Sequence, residues 1–280
     1  MNFVKSPLNY TGNKFKLLDK LAPLLGTDHR VVDLFGGGGT VAANVGVVTH
    51  YNEYSPQIAE LVKWLAISPD PEGSIDALIA EYQLSKTNAE GFLALRTRYN
   101  SGDRTPAILY ALIAHAFNFQ VRFNQSGGYN MPFGRDKSTF NPRMRANLAG
   151  FRENAKRIKS FSSTDFSDVA VSEGDLLYCD PPYLVTTASY NEAGGWAEKD
   201  EMRLLEYLDE LDLPWALSNV MEHQGQSNSL LKKFGEKYAV QHLDMDYSNA
   251  SYQKKDRTSR SDEVIVTNFT RAALAEAIAA

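Results

Sequence analysis

The sequence is poor in the residues that staple or metallate a fold. It has one cysteine, Cys179, which excludes an internal disulfide and any cysteine-based zinc site. Its five histidines (29, 50, 115, 223 and 242) are scattered, with no pair at metal-ligand spacing, so no structural metal is expected. No stretch approaches the roughly 20 apolar residues of a membrane span. The opening residues, MNFVKSPLNYTGNK, lack the apolar core of a secretory signal, and the expectation is a cytoplasmic protein. No repeat or low-complexity run occurs apart from the alanine-rich RAALAEAIAA at 271–280, to which no function is attached. Nor is there an excess of positive charge, the net charge being -5. Charge is nonetheless segregated, and segregation matters more than the sum. Arg143, Arg145, Arg152, Lys156, Arg157 and Lys159 cluster in RMRANLAGFRENAKRIK, and Lys254, Lys255, Arg257 and Arg260 in YQKKDRTSR. The acidic excess lies elsewhere, notably in 197–212. Solvated faces of opposite sign would explain this as well as a phosphate footprint.

What is present is an α/β rhythm. Residues 14–25 read as a helix, VVDLF (31–35) as a buried strand, and TVAANVG (40–46) as the start of a helix. VVTHYNE (47–53) reads as a strand ending in an acid, followed by a helix at 55–68 with Pro56 in its first turn. A doubly wound parallel sheet begins this way. The middle breaks the rhythm with helical segments at 74–84 and 88–99, an apolar one at 105–120, and RFNQSGGYNMPFGRDKSTFNPR, too long for an ordinary connector. The rhythm resumes at 175 with strands DLLYC, WALSNV, AVQHLDM and DEVIVTNF and helices at 198–211 and 228–238. The expected architecture is a Rossmann-like α/β domain made from residues 1–69 and 161–280, with a mostly helical insertion at 70–160.

Two motifs carry chemistry. The first is the glycine run after VVDLF, where a missing Cβ lets backbone N–H groups face a ligand. A phosphate loop of the Walker type is excluded, because Gly39-Thr40-Val41 lacks the lysine. Gly37-x-Gly39-x-x-Ala42 fits the relaxed dinucleotide fingerprint, and Phe35-x-Gly37-x-Gly39 fits a loop for S-adenosylmethionine; in both, Glu53 would hold a ribose. The loop alone leaves the two open. The second motif is Asp180-Pro181-Pro182-Tyr183, at the tip of strand 175–179 and therefore on the same sheet edge. It suits an aromatic exocyclic amine. An aspartate oxygen and a backbone carbonyl can accept its two hydrogens and pyramidalise the nitrogen. Proline offers a carbonyl with no competing N–H, and Tyr183 offers a face for a planar base. No metal or covalent intermediate is needed if the methyl arrives activated on a sulfonium; in-line positioning suffices.

The ordered set of motifs resembles the Dam-type DNA adenine N6-methyltransferases, particularly those of T-even phages. It comprises Tyr10-Thr11-Gly12-Asn13-Lys14, Asp33-Leu34-Phe35-Gly36-Gly37 with Gly39, Leu84-Ser85-Lys86-Thr87 and Pro132-Phe133-Gly134. It continues with Asp180 to Leu184, Ser218-Asn219-Val220 with Glu222-His223, and Asp262-Glu263-Val264. The order of cofactor loop, insertion and Asp-Pro-Pro-Tyr also resembles the α-group amino methyltransferases, whose insertion recognises the target. The resemblance implies a class I methyltransferase sheet and S-adenosylmethionine as cofactor. It places Tyr10, Lys14, Asp33, Glu53, Asp165 and Phe166 against that cofactor, and Asp180 at both its methionine end and the target amine. Relatives often have tryptophan where Tyr10 stands and aspartate where Glu53 stands; both exchanges keep the aromatic face and the carboxylate.

The partner implied is double-stranded DNA, and the target GATC. Adenine N6 lies in the major groove, so the base must flip into the pocket. Arg122 and Arg135 are candidates for bidentate guanine contact, with Arg135 preferred, and Asn124, Tyr129, Asn130 and Pro132 for wedging or stacking. Trp64, Trp196 and Trp215 read as packing. Two rivals remain: an amino methyltransferase acting on protein glutamine or RNA, and a non-catalytic DNA-binding relative, against which intact Gly37, Gly39, Asp180 and Tyr183 argue.

Overall fold

The computed structural model describes residues 2–26, 30–186, 195–243 and 261–269. The basic run at 254–260 and the alanine-rich end lie outside them. After α1 (Leu18–Leu25), the chain forms β1 (Arg30–Asp33), β2 (Val48–Asn52), α2 (Pro56–Ile67), α3 (Pro71–Glu81), α4 (Ala89–Asn100) and α5 (Pro106–His115). A long loop leads to α6 (Pro142–Ala155), β3 (Ile158–Ser162) and β4 (Asp175–Cys179). Then come α7 (Glu198–Glu210), β5 (Trp215–His223), β6 (Gln226–Ser227), α8 (Ser229–Gly235), β7 (Ala239–Leu243) and β8 (Ser261–Thr267). Prolines in the first turns of α2, α3, α5 and α6 pre-set φ where the N–H would be unpaired anyway.

The strands form one sheet of order β3-β2-β1-β4-β5-β8-β7, with β6 paired to β5. Strands β1 to β5 run parallel, and β8 runs antiparallel to both β5 and β7. This is a Rossmann-like methyltransferase sheet, as the alternation of elements predicted. Strand β4 is buried along its whole length, which is why DLLYC has no polar alternation. The order reverses between β1 and β4, and at such a switch point the carboxyl ends of the strands leave a crevice. The glycine run follows β1 and Asp180 follows β4, so both motifs open into that crevice.

Two sequence expectations change. Residues 40–46 form turns, not a helix. The Asn44 amide donates to the carbonyls of Thr40 and Val4, and Gly46, at φ +67°, turns the chain into β2. Strand β3, unmarked in the sequence, begins at Ile158, before the expected boundary at 161. It is a half-exposed edge strand without apolar alternation, tied to β2 by His50, whose two ring nitrogens contact the Ser160 and Ser162 hydroxyls. The helical insertion shares a core with β2, α2 and β3. A single buried cluster joins Tyr51 and Leu61 to Phe92, Tyr110 and Phe151, and α5 is buried from Ile108 through His115 at its centre.

Candidate active site at the sheet switch point

The crevice is a cavity of about 950 Å³. Its floor is the glycine loop. Gly36 N–H donates to the Asn52 carbonyl (2.7 Å), and the Tyr51 hydroxyl donates to the Gly37 carbonyl (2.6 Å). Gly37 has φ +47°, a left-handed conformation that glycine adopts without a Cβ penalty. Tyr10 lies across the loop: a Cβ at Gly37 would sit 2.9 Å from its ring. Glu53 braces the loop, Oε2 accepting from Gly37 N–H (3.0 Å) and Oε1 from Ser55 N–H (2.9 Å).

Three of the carboxylates that line this cavity, Asp33, Glu53 and Asp180, have raised pKa values. Burial raises Asp33 well above the usual range, and the charges of Asp180 and Glu53 add to it. Burial raises Glu53 against the two amides it binds. Burial also raises Asp180, while the Lys14 ammonium and Tyr183 hydroxyl pull it back. The Asp33 oxygens are buried and accept no well-formed hydrogen bond among the described residues, the Ala42 and Phe35 amides only tempering the rise in its pKa. Such a set is electrostatically frustrated and would be relieved by a cation.

Asp180 is gripped through one oxygen. Its Oδ1 accepts from Lys14 Nζ (2.9 Å) and the Tyr183 hydroxyl (2.8 Å), which leaves Oδ2 to accept from a ligand. Lys14 is only 5% exposed and also donates to the Gly12 carbonyl (3.0 Å). Its Nζ stands 5.0 Å from the Tyr183 ring centre. The turn after β4 and the TGNK segment thus meet here.

The opposite wall is aromatic. Phe35, Phe166 and Trp196 pack with centroids 5.6 to 6.3 Å apart, and all three line the cavity. Trp196 is therefore not only packing, unlike Trp215, which is wholly buried. Its indole N–H donates to Glu201 Oε2 (2.7 Å), and Glu201 Oε1 accepts from Asn219 and Asn228. No sequence pattern marks Trp196; the contact arises from tertiary packing. Arg203, also missed, covers the Phe166 ring at 4.6 Å and pairs with Asp165 Oδ2 (2.6 Å). Although burial opposes it, this pairing and the bonds from Ser167 hold Asp165 below its ordinary pKa.

The loop at 116–141 is reshaped by its contacts. Tyr129 is 1% exposed, its hydroxyl donating to the Gln120 carbonyl, so it is core and cannot wedge a duplex. Asn124 is a turn former: its Oδ1 accepts from Ser126 and Gly128 N–H groups. Arg122 donates to Asn130 Oδ1 (3.0 Å), so these two brace each other across the hairpin. Pro132 is exposed and its carbonyl accepts from Phe117 N–H. Arg135 is exposed, with no hydrogen bond or ion pair among the described residues. Phe117, which sequence reading passed over, is 50% exposed beside two non-glycine residues at positive φ, Asn118 and Phe119. Asn9 holds the Asn118 carbonyl, linking this strained turn to the segment that carries Tyr10 and Lys14.

The basic cluster at 143–159 is largely used internally. Arg145 pairs with Glu72 and Asp76, Arg152 binds the carbonyls of Leu65 and Ser68 at the end of α2, and Arg157 binds the Gly46 carbonyl. These three are structural clamps, which corrects the phosphate-binding expectation for them.

Residues 10–261, which take in the cavity and the 116–141 loop, match the family of D12 class N6 adenine-specific DNA methyltransferases. The chain belongs to this family. It is 39% identical over 287 residues to the type II methyltransferase M.FokI of Planomicrobium okeanokoites, a match covering 96% of this chain and 43% of that protein. The modification methylase StsI of Streptococcus sanguinis is 38% identical over 286 residues, covering 95% of this chain and 43% of StsI. The chain thus spans less than half the length of these two relatives. Identity falls to 28% over 200 residues for the DNA adenine methylase of Vibrio cholerae, covering 67% of this chain and 69% of that one. The likeness to the two type II methylases exceeds that to the Dam enzyme, to which the motifs had pointed. D12 methyltransferases use S-adenosylmethionine as methyl donor. The residues fit it: a ligand with a sulfonium and an α-ammonium relieves the buried Asp33 and the other raised carboxylates, and the aromatic wall suits its adenine.

Proposed function

We propose that the chain is a site-specific methyltransferase that acts on N6 of a flipped adenine in double-stranded DNA. The observation that carries this is Asp180, which lines a cavity shared with the glycine loop and has one oxygen tied to Lys14 and Tyr183. When bound, S-adenosylmethionine supplies a methyl group already activated on sulfur. Glu53 would accept from its ribose hydroxyls, Phe35, Phe166 and Trp196 would enclose its adenine, and Asp165 would take up the adenine amine. Asp33 and Tyr10 would border its methionine end with Gly37, whereas Gly39, expected there from the sequence, faces Val62 and Phe151 of the core and does not line the cavity.

The chain's own residues then position the acceptor. Asp180 Oδ2 and the Pro181 carbonyl accept the two N6 hydrogens, turning the nitrogen lone pair out of the ring towards the methyl. Pro182 fixes φ behind that carbonyl, and Tyr183 supports the base. Lys14 stabilises the ionised form of Asp180 in a buried setting. After transfer the amine must shed one proton, and Asp180 is the adjacent acceptor.

On the DNA side, Phe117 replaces Tyr129 and Asn124 as the wedge. An exposed aromatic on a strained turn, anchored to both the Pro-Phe-Gly segment and the Tyr10 segment, can enter the gap left by a flipped base. Arg135, exposed and without a hydrogen bond or ion pair among the described residues, is a guanidinium available to a guanine edge, while Arg122 and Asn130 orient the hairpin. The Dam resemblance implies GATC as the target. The M.FokI and StsI likenesses make a different target an equal reading.

The test is methyl transfer from labelled S-adenosylmethionine to duplexes with and without GATC, followed by base analysis. N6-methyladenine in any duplex supports the reaction, and its restriction to GATC supports that target. Label on protein or RNA alone would favour the rival amino methyltransferase. No label on any substrate would leave a non-catalytic relative.

A further inference from the structure

The Asp262-Glu263-Val264 motif has so far had no role. Glu263 lies on β8, opposite Val220 of β5 and Leu243 of β7. Its neighbours along the strand, Val264, Ile265 and Val266, are apolar core. A carboxylate only 2% exposed among them does nothing for packing, and burying it is costly. It does not line the cavity but stands behind it, beside the two side chains that grip Asp180.

The distances are those of a shared arrangement. The Tyr183 oxygen lies 2.8 Å from Asp180 Oδ1 and 3.3 Å from Glu263 Oε1. A hydroxyl carries one hydrogen, so it donates to one of the two carboxylates at a time. Lys14 Nζ lies 2.9 Å from Asp180 Oδ1 and 3.7 Å from Glu263 Oε1. In this structure both donors favour Asp180. An incoming amine needs that same carboxylate, and a carboxylate already accepting two strong hydrogen bonds is a weaker acceptor for a third.

We propose that Glu263 is a positioning residue for methyl transfer: it receives the Tyr183 hydroxyl, and shares the Lys14 charge, when the target amine engages Asp180. Without it, a buried hydroxyl released from Asp180 would lose its partner, so the hand-over would be opposed. Because β8 is paired on both sides, Glu263 stays in place while the donors turn. This inference rests on the adenine-methylation reading.

The experiment measures single-turnover methyl transfer for the wild type, Glu263→Gln, Glu263→Asp, Tyr183→Phe and the Tyr183→Phe/Glu263→Gln double variant. Thermal unfolding and the affinities for S-adenosylhomocysteine and DNA are measured alongside. Glu263→Gln should slow transfer by roughly tenfold or more while both affinities stay within about twofold of wild type. Its effect should be smaller in the Tyr183→Phe background, since the hydroxyl to be received is gone. Glu263→Asp, which keeps the charge, should recover part of the rate. An undiminished rate for Glu263→Gln overturns the proposal. So does an equal fold-loss in both backgrounds, or a loss wholly explained by weaker cofactor binding or lower thermal stability. If the wild type itself methylates no duplex, the underlying reading falls instead.

Discussion

Gly36→Ala isolates what the glycine run does for the protein itself. A Cβ at Gly36 would lie 2.3 and 2.4 Å from two ring carbons of Tyr51 and 3.0 Å from the Asn52 carbonyl oxygen. Carbon atoms pack best at about 3.5–4.0 Å, so the ring would have to recede by roughly 1 Å. It has little room to do so: Tyr51 is fully buried, its hydroxyl is bonded to the Gly37 carbonyl, and Phe161 packs with its centroid 5.8 Å away. Overpacking of this kind costs about 1–3 kcal/mol. Losing the hydroxyl bond adds about 0.5–1.5 kcal/mol, for a total near 2–4 kcal/mol. At about 2–4 °C per kcal/mol for a chain of this size, Tm should fall by roughly 4–15 °C. Because Gly37 N–H holds Glu53, cofactor affinity should fall with it. Thermal unfolding and titration with S-adenosylhomocysteine read both effects. Adding Tyr51→Val makes space, so the double variant should lose less than the sum of the single changes. A Gly36→Ala protein with unchanged Tm and affinity would refute this reasoning.

Four other outcomes are expected. Asp180→Ala removes the amine acceptor and should reduce methyl transfer by about 10²–10³-fold, by analogy with losing one transition-state hydrogen-bond partner, with DNA affinity within a few fold by filter binding. Phe117→Ala should slow base flipping, read by the fluorescence of 2-aminopurine at the target position, without changing cofactor affinity. Arg135→Ala should cost about 1–3 kcal/mol in DNA binding and relax one base position in a substitution panel. Asp33, Glu53 and Asp180 all have folded pKa values above their ordinary ones, so the stability they contribute is present while they are protonated and is lost as pH rises through those raised values. Over the same window, above the ordinary carboxylate range, affinity for S-adenosylmethionine should rise with pH. It should rise more steeply than for S-adenosylhomocysteine, which lacks the sulfonium; calorimetry at several pH values checks this.

Local patterns in the sequence determined the order of elements, because an apolar run between turn residues or a proline at a helix start acts within a few residues. They also located the glycine loop, Glu53 and Asp-Pro-Pro-Tyr, since the turn after a parallel strand has one possible edge to face. Strand β3 escaped them because an edge strand needs no apolar alternation, and 40–46 failed as a helix because Asn44 and Gly46 compete for its backbone. Charge was the least legible property. Whether Arg145, Arg152 and Arg157 meet phosphate or protein depends on Glu72, Asp76 and the end of α2, which only folding brings near. Tyr129 and Phe117 read alike as aromatics near one loop, but contacts with Tyr99 and Asn100 of α4 buried the first while Phe117 stayed half exposed. The meeting of Lys14, Asp180, Tyr183 and Glu263 was decided by tertiary structure alone, because the sheet order sets β4, β5 and β8 side by side and delivers residues from both ends of the chain to one point.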